Sequence, residues 1–304
     1  MKIYLVGPEK EYLYSVEELN KVGNVVYVNN LSEIFSDPDD KILGIAPGVI
    51  DWKFPLEDLK KIQNLKGICT KSSWGFYIDI EYCRQNNIHV CNVPGANSRS
   101  VAEYAFWMML SLARKLPQQI RDSFQIHESD NLHVEISDKK IGIIGLGKVG
   151  GHLAKMAQGF GMEVWYSGRS PKKNSYKYSP VEDLLKNCDF IFDCLENCPE
   201  TQNYLNKDRL SLMKSSAYFI SVMGGAGWGV EDDEFLVQMV QNNKLAGFSI
   251  ENEHKGNFPK KFDGNIFIPP AYAWKTVEAQ DRTNKIFTET IVGLATGKVI
   301  NVIK

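Results

Sequence analysis

The sequence predicts an α/β fold in which parallel β-sheets are covered by helices. Short apolar runs alternate with helical patterns over the first 95 residues, and the same alternation restarts at Lys140. Pro94-Gly95 interrupts the pattern, and residues 123–137 are polar and irregular. Strand–helix alternation is typical of parallel sheets. Because a chain of 304 residues is long enough for two domains of ordinary size, we expect one sheet in each half.

Eleven segments have the pattern of buried strands. They are 3–6, 25–28, 42–46, 67–69, 89–93, 141–144, 163–166, 190–192, 218–222, 245–250 and 266–268. Two capping-box patterns, Ser15–Glu18 and Ser100–Glu103, predict the starts of two helices. Apolar residues follow the second box at helical spacing and predict a helix that faces a core: Val101, Ala105, Met108, Met109 and Leu112. A last helix is predicted over 274–296, followed by an apolar tail at 299–303.

Composition excludes several classes of function. Lys and Arg number 35 against 37 Asp and Glu, a net charge of −2, whereas nucleic-acid-binding proteins usually carry a basic excess. The longest uncharged apolar run, Ala105–Ala113, has nine residues, and a membrane span needs about 20. The N-terminus lacks the pattern of a signal peptide. We therefore expect a cytoplasmic protein with a small-molecule partner, reduced cysteines and no metal site.

A glycine-rich loop indicates a dinucleotide site in the second half. Gly145, Gly147 and Gly150 match G-x-G-x-x-G, directly after an apolar strand and at the start of a helix. The first glycine permits a tight turn, the second lets the backbone approach a pyrophosphate, and the third lets the helix pack on the strand. The helix N-terminus then offers N–H groups and a favourable dipole to the anion.

The end of the next strand predicts which dinucleotide binds. An NAD site usually has Asp or Glu there, against the ribose 2′-hydroxyl. This chain has Gly168, Arg169 and Ser170 instead, followed by Lys172 and Lys173. A guanidinium pairs well with a 2′-phosphate. The pattern therefore favours NADP, with NAD as the alternative. If these residues have no role in binding, they form a basic turn exposed to solvent.

Many short stretches together resemble the D-isomer-specific 2-hydroxyacid dehydrogenases. They are Asn64–Gly67 with Ile78-Asp79, Val93–Asn97, Val101–Glu103, Ile141–Gly147, Pro199–Thr201, Leu212–Lys214, Lys244–Gly247 and Ala273-Trp274. The resemblance covers nearly the whole chain. It implies a flavodoxin-like substrate domain (1–97 and 285–304), which would bury the 299–303 tail, and a dinucleotide-binding Rossmann domain (98–284). It also implies a homodimer and NAD(P)-dependent chemistry on 2-hydroxy or 2-keto acids.

The resemblance also implies which residues contact the cofactor and the substrate. The cofactor residues are Val101, Gly145, Gly147, Lys148, Val149, Gly150, Gly168, Arg169, Ser170, Pro199, Thr201, Val222 and Met223. The loop of Ser73, Trp74 and Gly75 would bind the substrate carboxylate through its backbone N–H groups.

The family's two reacting side chains are missing from their expected positions. By resemblance, an arginine binds the substrate after the fourth strand of the cofactor domain, and a histidine is the general acid/base in a P-H-x-A-W-like stretch. Gly224 stands in the arginine position and Ala271 in the histidine position. A positioned general acid contributes roughly 10²–10⁴-fold to the rate, so ordinary reduction of a 2-keto acid is expected to be weak.

Two residues are candidate substitutes for the missing groups. Lys71 precedes the substrate loop and offers a cation, whereas His254 offers an acid/base group. A surface lysine and a solvated histidine are the alternatives without function. Tyr272 and Lys275, beside Ala271, are further candidates. Two functions therefore stay open: an NADP-preferring oxidoreductase with altered or weak catalysis, or a catalytically silent homologue that binds the dinucleotide as a sensor, scaffold or regulatory protein.

Overall fold

A computed structural model describes residues 1–12, 14–125, 132–196, 198–222, 230–251 and 263–303. Within these ranges the strands are β1 (Lys2–Val6), β2 (Asn24–Val28), β3 (Lys41–Ile45), β4 (Leu65–Thr70), β5 (His89–Cys91), β6 (Lys140–Ile144), β7 (Glu163–Ser167), β8 (Lys177–Tyr178), β9 (Phe190–Asp193), β10 (Tyr218–Ser221), β11 (Gly247–Ile250) and β12 (Ile266–Phe267).

The α-helices of the same ranges are α1 (Val16–Asn20), α2 (Leu56–Lys61), α3 (Ile80–Gln85), α4 (Ser98–Ala113), α5 (Leu116–Arg121), α6 (Lys148–Gly159), α7 (Val181–Asn187), α8 (Lys207–Leu210), α9 (Asp233–Gln241) and α10 (Val277–Ala295). Short 3₁₀ helices cover Glu9–Glu11, Leu31–Ile34, Pro47–Ile50 and Pro199–Thr201. All eleven predicted strands are present, and the two-residue edge strand β8 and the short helix α5 were not predicted.

The chain divides into two compact units. The first comprises Met1–Asn97 and Thr276–Lys304, and the second comprises Ser98–Lys275. The first division coincides with the expected one after residue 97. The second falls after residue 275 rather than after 284, because α10 is one continuous helix that packs against β3 and β4 of the first unit.

The first unit is a five-stranded parallel sheet in the order β2-β1-β3-β4-β5, which is the flavodoxin-like order. Side chains alternate across a strand, so Ile3 and Leu5 of β1 join one core cluster and Tyr4 joins another. The first of these clusters also contains Phe287 of α10, which explains why α10 packs on that face.

The second unit is a seven-stranded parallel sheet in the order β12-β11-β10-β9-β6-β7-β8. The first six of these strands in chain order, β6 to β11, have the Rossmann arrangement 3-2-1-4-5-6, in which β6 is an interior strand between β7 and β9. The stripe predicted on α4 is confirmed as core, since all five of its residues are buried in one cluster with α6. A second cluster on the opposite face of the sheet contains residues of α7, α8 and α9.

Both predictions of a capping box are wrong in detail. Ser15 precedes α1 but makes no capping bond, because its hydroxyl oxygen accepts a hydrogen bond from Thr288 Oγ1 at 2.7 Å. Helix α4 begins at Ser98 rather than after Ser100. The Ser100 hydroxyl donates to the Ala273 carbonyl oxygen instead. In both cases a tertiary partner takes the hydroxyl that local sequence assigned to the helix end.

The apolar tail is only partly buried, which corrects the expectation from the resemblance. Its backbone pairs with β5, since the Ile303 N–H donates to the Val90 oxygen at 2.8 Å and Cys91 forms an antiparallel bridge with Val302. Ile303 packs against the core, whereas Ile300 and Val302 remain 43% and 44% exposed. An edge pairing of this kind buries alternate side chains and leaves the others in solvent.

Lys41 provides a test of the first unit's packing. Its side chain is fully buried, and its Nζ donates to the carbonyl oxygens of Asp37, Asp39 and Gln63. Lys41→Met would remove all three donors, so we expect a loss of about 2–4 kcal/mol in the free energy of unfolding, measured by denaturant titration. Lys66→Met is the control, because Lys66 only pairs with Asp40 at the surface. Equal effects of the two variants would contradict this role.

Candidate functional site

The glycine-rich loop forms the turn between β6 and α6. Gly145 has φ +95°, in the region that favours glycine, and its N–H donates to the Ser167 oxygen at 2.9 Å. A Cβ on Gly145 would lie 2.7 Å from the Cys194 carbonyl oxygen. Around an ideal Cβ on Gly147, by contrast, no atom of the described residues lies within 4 Å apart from its own chain neighbours. The first glycine is therefore needed for packing, and the second faces open space.

Gly150 lets α6 approach the end of β6 at very short range. A Cβ at this position would collide with the Gly145 carbonyl oxygen and lie 2.9 Å from Ile143 Cγ2. Leu153, Ala154 and Ala157 of the same helix are fully buried in the core cluster. The helix is thereby held with its first turn directly at the carboxyl end of β6.

The N-terminus of α6 is suited to an anion. Gly147 is the N-cap residue and has no side chain to accept hydrogen bonds from the first turn. Lys148 and Val149 are the first two residues of a twelve-residue helix. First-turn N–H groups have no acceptor within their own helix, and the helix dipole adds positive potential there. A pyrophosphate fits this arrangement, because the open side of Gly147 leaves room for its approach.

The end of β7 presents a basic, exposed turn. Gly168, Arg169 and Ser170 are all exposed. Lys172 Nζ donates to the Leu146 carbonyl oxygen and so ties this turn to the glycine-rich loop. The pKa of Glu200 is lowered, chiefly by a hydrogen bond with Cys198 and with a smaller contribution from the charge of Arg169. Arg169 is thus available at the surface on the side where an adenosine ribose would lie in a Rossmann domain.

The other cofactor residues implied by the resemblance have mixed roles. Val101 and Val222 are buried in the same cluster as Leu146 of the glycine-rich loop. The Thr201 hydroxyl is used locally, since it accepts a hydrogen bond from the Cys198 N–H at 3.1 Å and its single proton is directed at the nearby carbonyl oxygens of Glu196 and Cys198. Pro199 begins that 3₁₀ turn. Met223 lies outside the described residues.

Ala271 stands in a stretch whose backbone is fixed from two sides. The Ala273 N–H donates to Glu251 Oε1 at 2.8 Å, and the Tyr104 hydroxyl donates to the Pro270 carbonyl oxygen at 2.7 Å. Burial raises the pKa of Tyr104 to about 12, and Glu251 adds to this effect. The sequence analysis did not identify Tyr104, because at this position in α4 a tyrosine is typical of an ordinary helix face.

The remaining candidates near this stretch differ in exposure. Tyr272 is 56% exposed, and Lys275 Nζ lies 5.3 Å from the centroid of its ring. Gly224 and His254 lie outside the described residues, so the structure does not show their positions. Among the described residues, no group of three or more His, Cys, Asp or Glu side chains could hold a metal ion.

Lys71 and the predicted substrate loop lie at the carboxyl end of β4 in the first unit. Lys71 Nζ donates to the Glu11 carbonyl oxygen and lies 5.4 Å from the centroid of the Tyr12 ring. Burial lowers the pKa of Lys71. The Trp74 N–H donates to Ser72 Oγ at 3.0 Å, and Gly75 is packed against Ile303. Ser73 is exposed.

An aromatic cluster beside this loop was missed by the sequence analysis. Trp74 lies 5.8 Å from Trp52, 6.2 Å from Phe76 and 5.9 Å from Tyr77, measured between ring centroids. Trp52 comes from the segment after β3, 22 residues earlier in the chain, so no local pattern places the two together. The Tyr77 hydroxyl donates to Thr70 Oγ1, which anchors the cluster to the end of β4.

The second unit therefore has the construction of a dinucleotide-binding domain: a Rossmann strand order, a glycine-rich turn and a helix N-terminus whose N-cap residue is glycine. The family model of the D-isomer specific 2-hydroxyacid dehydrogenase NAD-binding domain matches residues 106–260, just over half of the chain. The chain belongs to this family, whose members are NAD(P)-dependent oxidoreductases acting on the CH–OH group of 2-hydroxy acids.

Individual relatives agree with this assignment. A protein of Staphylococcus saprophyticus, described as a 2-hydroxyacid dehydrogenase by inference, is 29% identical over 318 aligned positions, 94% of each chain. A solved acyclic imino acid reductase in complex with NADPH and D-Arg is 25% identical, with a TM-score of 0.84 over 100% of both chains. A glyoxylate reductase from Paecilomyes thermophila has a TM-score of 0.88 at 19% identity, over 100% of this chain and 98% of its own. At that identity the last similarity concerns the fold.

No helix of the described ranges combines the length and the apolar character that a membrane crossing requires. All six cysteines lie in these ranges as free thiols.

Gly150→Ala tests the close approach of α6 to β6. The added methyl group collides with the Gly145 oxygen, so we expect a loss of about 1–3 kcal/mol in the free energy of unfolding and at least tenfold weaker NADPH binding by calorimetry. Gly151→Ala is the matched control, because nothing lies within 4 Å of its ideal Cβ and alanine is the better helix former. The interpretation fails if both variants bind NADPH as the parent does.

Proposed function

We propose that this protein is an NADP-preferring reductase of the 2-hydroxyacid dehydrogenase family with altered chemistry at the reacting carbon. The observation that carries the cofactor preference is the exposed Arg169 at the end of β7, where no carboxylate follows the strand. A guanidinium attracts a 2′-phosphate and offers paired donors to it. The imino acid reductase with NADPH bound supports the same preference. When bound, NADPH supplies a hydride to the substrate.

Arg169→Ala is expected to weaken NADPH binding about tenfold or more, because a charge-assisted pair to the 2′-phosphate is lost. NADH binding should change by less than about twofold. Both dissociation constants are measured by calorimetry at fixed ionic strength. Lys173→Ala, a change at an exposed residue of the same turn, controls for general loss of positive charge. NADPH and NADH affinities that are equal in the parent protein, and unchanged in Arg169→Ala, would contradict the preference.

We further propose that Ala271 makes turnover of simple 2-keto acids slow. Reduction of a ketone requires a proton on the carbonyl oxygen, and the alanine methyl group has none to give. The backbone around Ala271 is held by Glu251 and Tyr104. Lys71 and His254 remain the proposed substitutes for the missing cation and acid. Lys71 is partly buried, and among the described residues its Nζ donates to one acceptor, the Glu11 carbonyl oxygen. Because an ammonium group has three donors, it can also bind a carboxylate.

A second candidate function is reduction of an imine, the C=N analogue of a 2-keto acid. The specific observation is the pairing of the Ala271 substitution with the full-length similarity to an acyclic imino acid reductase. An iminium nitrogen already carries the positive charge. It takes the π-electron pair when hydride adds to carbon and yields a neutral amine, so this step needs no protein acid. A site without histidine at position 271 can therefore reduce an iminium while it reduces a ketone poorly.

NADPH oxidation with glyoxylate, pyruvate and hydroxypyruvate should be far slower than the ordinary enzymatic rate near 10 s⁻¹. Adding methylamine at a pH that favours imine formation should increase the rate at least tenfold if the second function holds. Ala271→His with Gly224→Arg should raise ketone reduction without amine. Lys71→Met and His254→Gln then show whether either residue supplies the missing group.

The outcomes of these assays are distinguishable. A parent rate near 10 s⁻¹ on a keto acid without amine would overturn the assignment of positions 224 and 271. Tight NADPH binding with no turnover under any condition would favour the catalytically silent homologue, a sensor, scaffold or regulatory protein. We also propose a cytoplasmic homodimer, as the resemblance implies, and its mass by light scattering should be twice the 34.4 kDa of one chain.

A further inference from the structure

Two acidic side chains lie inside the second unit, apart from the residues assigned to the cofactor and the substrate. Asp193 is the last residue of β9 and is fully buried. Glu231 lies two residues before α9 and forms a backbone bridge with Leu205. Side chains alternate across a strand, and Phe192 belongs to the cluster on the α6 face. Asp193 therefore points to the opposite face, where the second apolar cluster lies.

Each carboxyl has one oxygen with a donor and one without. Asp193 Oδ1 accepts the Leu195 N–H at 3.0 Å, and the Glu231 side chain is bonded to Ser221. Asp193 Oδ2 and Glu231 Oε1 are shielded from solvent and have no donor among the described residues. The two side chains are nevertheless hydrogen-bond partners of each other. Ionised carboxylates only accept hydrogen bonds, so this contact requires a proton between them.

We propose that Asp193 and Glu231 share a proton at neutral pH. We further propose that this protonated pair positions the turn after β9, which packs against Gly145 of the glycine-rich loop through Cys194. One proton between the two side chains makes their contact a hydrogen bond. Without it, two like charges would face each other in an apolar cluster, an arrangement in which one carboxyl normally stays protonated.

The surroundings favour the protonated form. Burial raises the pKa of Asp193 to about 7 and holds the pKa of Glu231 well above its usual range. The charge of Asp233, on the first turn of α9, raises the pKa of Asp193 further. The neighbouring Cys194 thiol is also buried, which raises its pKa. None of the ion pairs within the described ranges includes Asp193 or Glu231, and Lys207 on α8 pairs with Asp232 at 3.6 Å.

The pair is connected to the glycine-rich loop by direct packing. The Cys194 N–H donates to the Ile144 oxygen at 2.8 Å, and the Cys194 oxygen lies 2.7 Å from an ideal Cβ on Gly145. On its other side, Glu231 is bonded to Ser221 at the end of β10. The shared proton therefore joins the ends of β9 and β10 and the start of α9, immediately behind the turn that would hold the pyrophosphate.

The sign of the pH dependence follows from the raised pKa values. Both groups bind protons more tightly in the folded than in the unfolded protein, so their contribution to stability is complete below the unfolded pKa near 4. It decreases as the pH rises toward and through the folded value of about 7 for Asp193, and further as Glu231 ionises. The pair should thus destabilise the second unit progressively in alkaline solution.

Infrared spectroscopy of the full chain tests the shared proton directly. We expect a carbonyl band of a protonated carboxylic acid at pH 7 that disappears in Asp193→Asn and at high pH. The asparagine amide can donate to Glu231 Oε1 at every pH, and Glu231→Gln is the reciprocal variant if the first fails to fold. Asp189→Asn is the control, because Asp189 lies at the other end of β9, pairs with Lys214 and has a lowered pKa. A band absent from the parent protein, or unaffected by both variants, would overturn the proposal.

Thermal unfolding tests the consequence for stability. From pH 6 to 9 the parent's unfolding midpoint should fall by at least about 3 °C more than that of Asp193→Asn, whereas Asp189→Asn should follow the parent. Parallel curves for the parent and Asp193→Asn would contradict the raised proton affinity.

The positioning role rests on the proposed dinucleotide binding and has its own readout. From pH 7.5 to 9.5, where the cofactor's 2′-phosphate is already fully charged, the parent's NADPH dissociation constant should rise at least about fivefold and that of Asp193→Asn should stay constant. An infrared band with no NADPH binding at any pH would refute the proposed function and leave the shared proton standing. Binding with the same pH dependence in both proteins would refute the positioning role.

Discussion

The close approach of α6 to the end of β6 is the constraint on which the second unit depends. Because Gly150 has no side chain, α6 can approach the Gly145 carbonyl oxygen closely. The turn after β9, at Cys194, packs against Gly145 from the other side. Strand β6 lies in the interior of the sheet, between β7 and β9. A methyl group at either glycine would have to displace backbone rather than a flexible side chain. The same geometry that packs the core thereby fixes a helix N-terminus at the open edge of the sheet.

Cofactor binding and catalysis depend on different residues in this chain. The features expected to bind a dinucleotide are local to the β6–α6 turn, which the described structure retains, and Arg169 is the residue that we propose selects NADP(H). The acid expected near the reacting carbon is missing, and Ala271 stands in a stretch whose backbone is anchored through Glu251 and Tyr104. The proposed slow reduction of ketones therefore depends on the lack of a proton donor at position 271. An iminium substrate removes the need for a proton, which makes the imine an informative alternative to the ketone.

Sequence reasoning worked where the determinants are local. Parallel strands are buried on both faces and read as apolar runs, so every strand except the two-residue β8 was predicted. The glycine-rich loop was predictable because its three glycines fall within six residues, directly between an apolar strand and a helix. The two capping-box predictions failed because the hydroxyl groups of Ser15 and Ser100 bond to Thr288 and to the Ala273 carbonyl oxygen. These partners are distant in the sequence, so the local pattern does not indicate them.

The candidate site was predictable only in part for the same reason. The aromatic cluster joins segments after β3 and β4, and the acid pair joins residues 193 and 231, which are 38 positions apart. In the sequence alone, each of the two acids is an ordinary polar residue near the end of a strand or the start of a helix. Only the fold brings the two side chains into contact with each other.

A crystal structure of the full chain soaked with NADPH would show whether the glycine-rich turn and Arg169 together bind NADP(H). We expect the pyrophosphate at the first turn of α6, over Gly147, with the 2′-phosphate within about 3 Å of the Arg169 guanidinium. A pyrophosphate bound away from this turn, or a 2′-phosphate in solvent with Arg169 turned away, would contradict it.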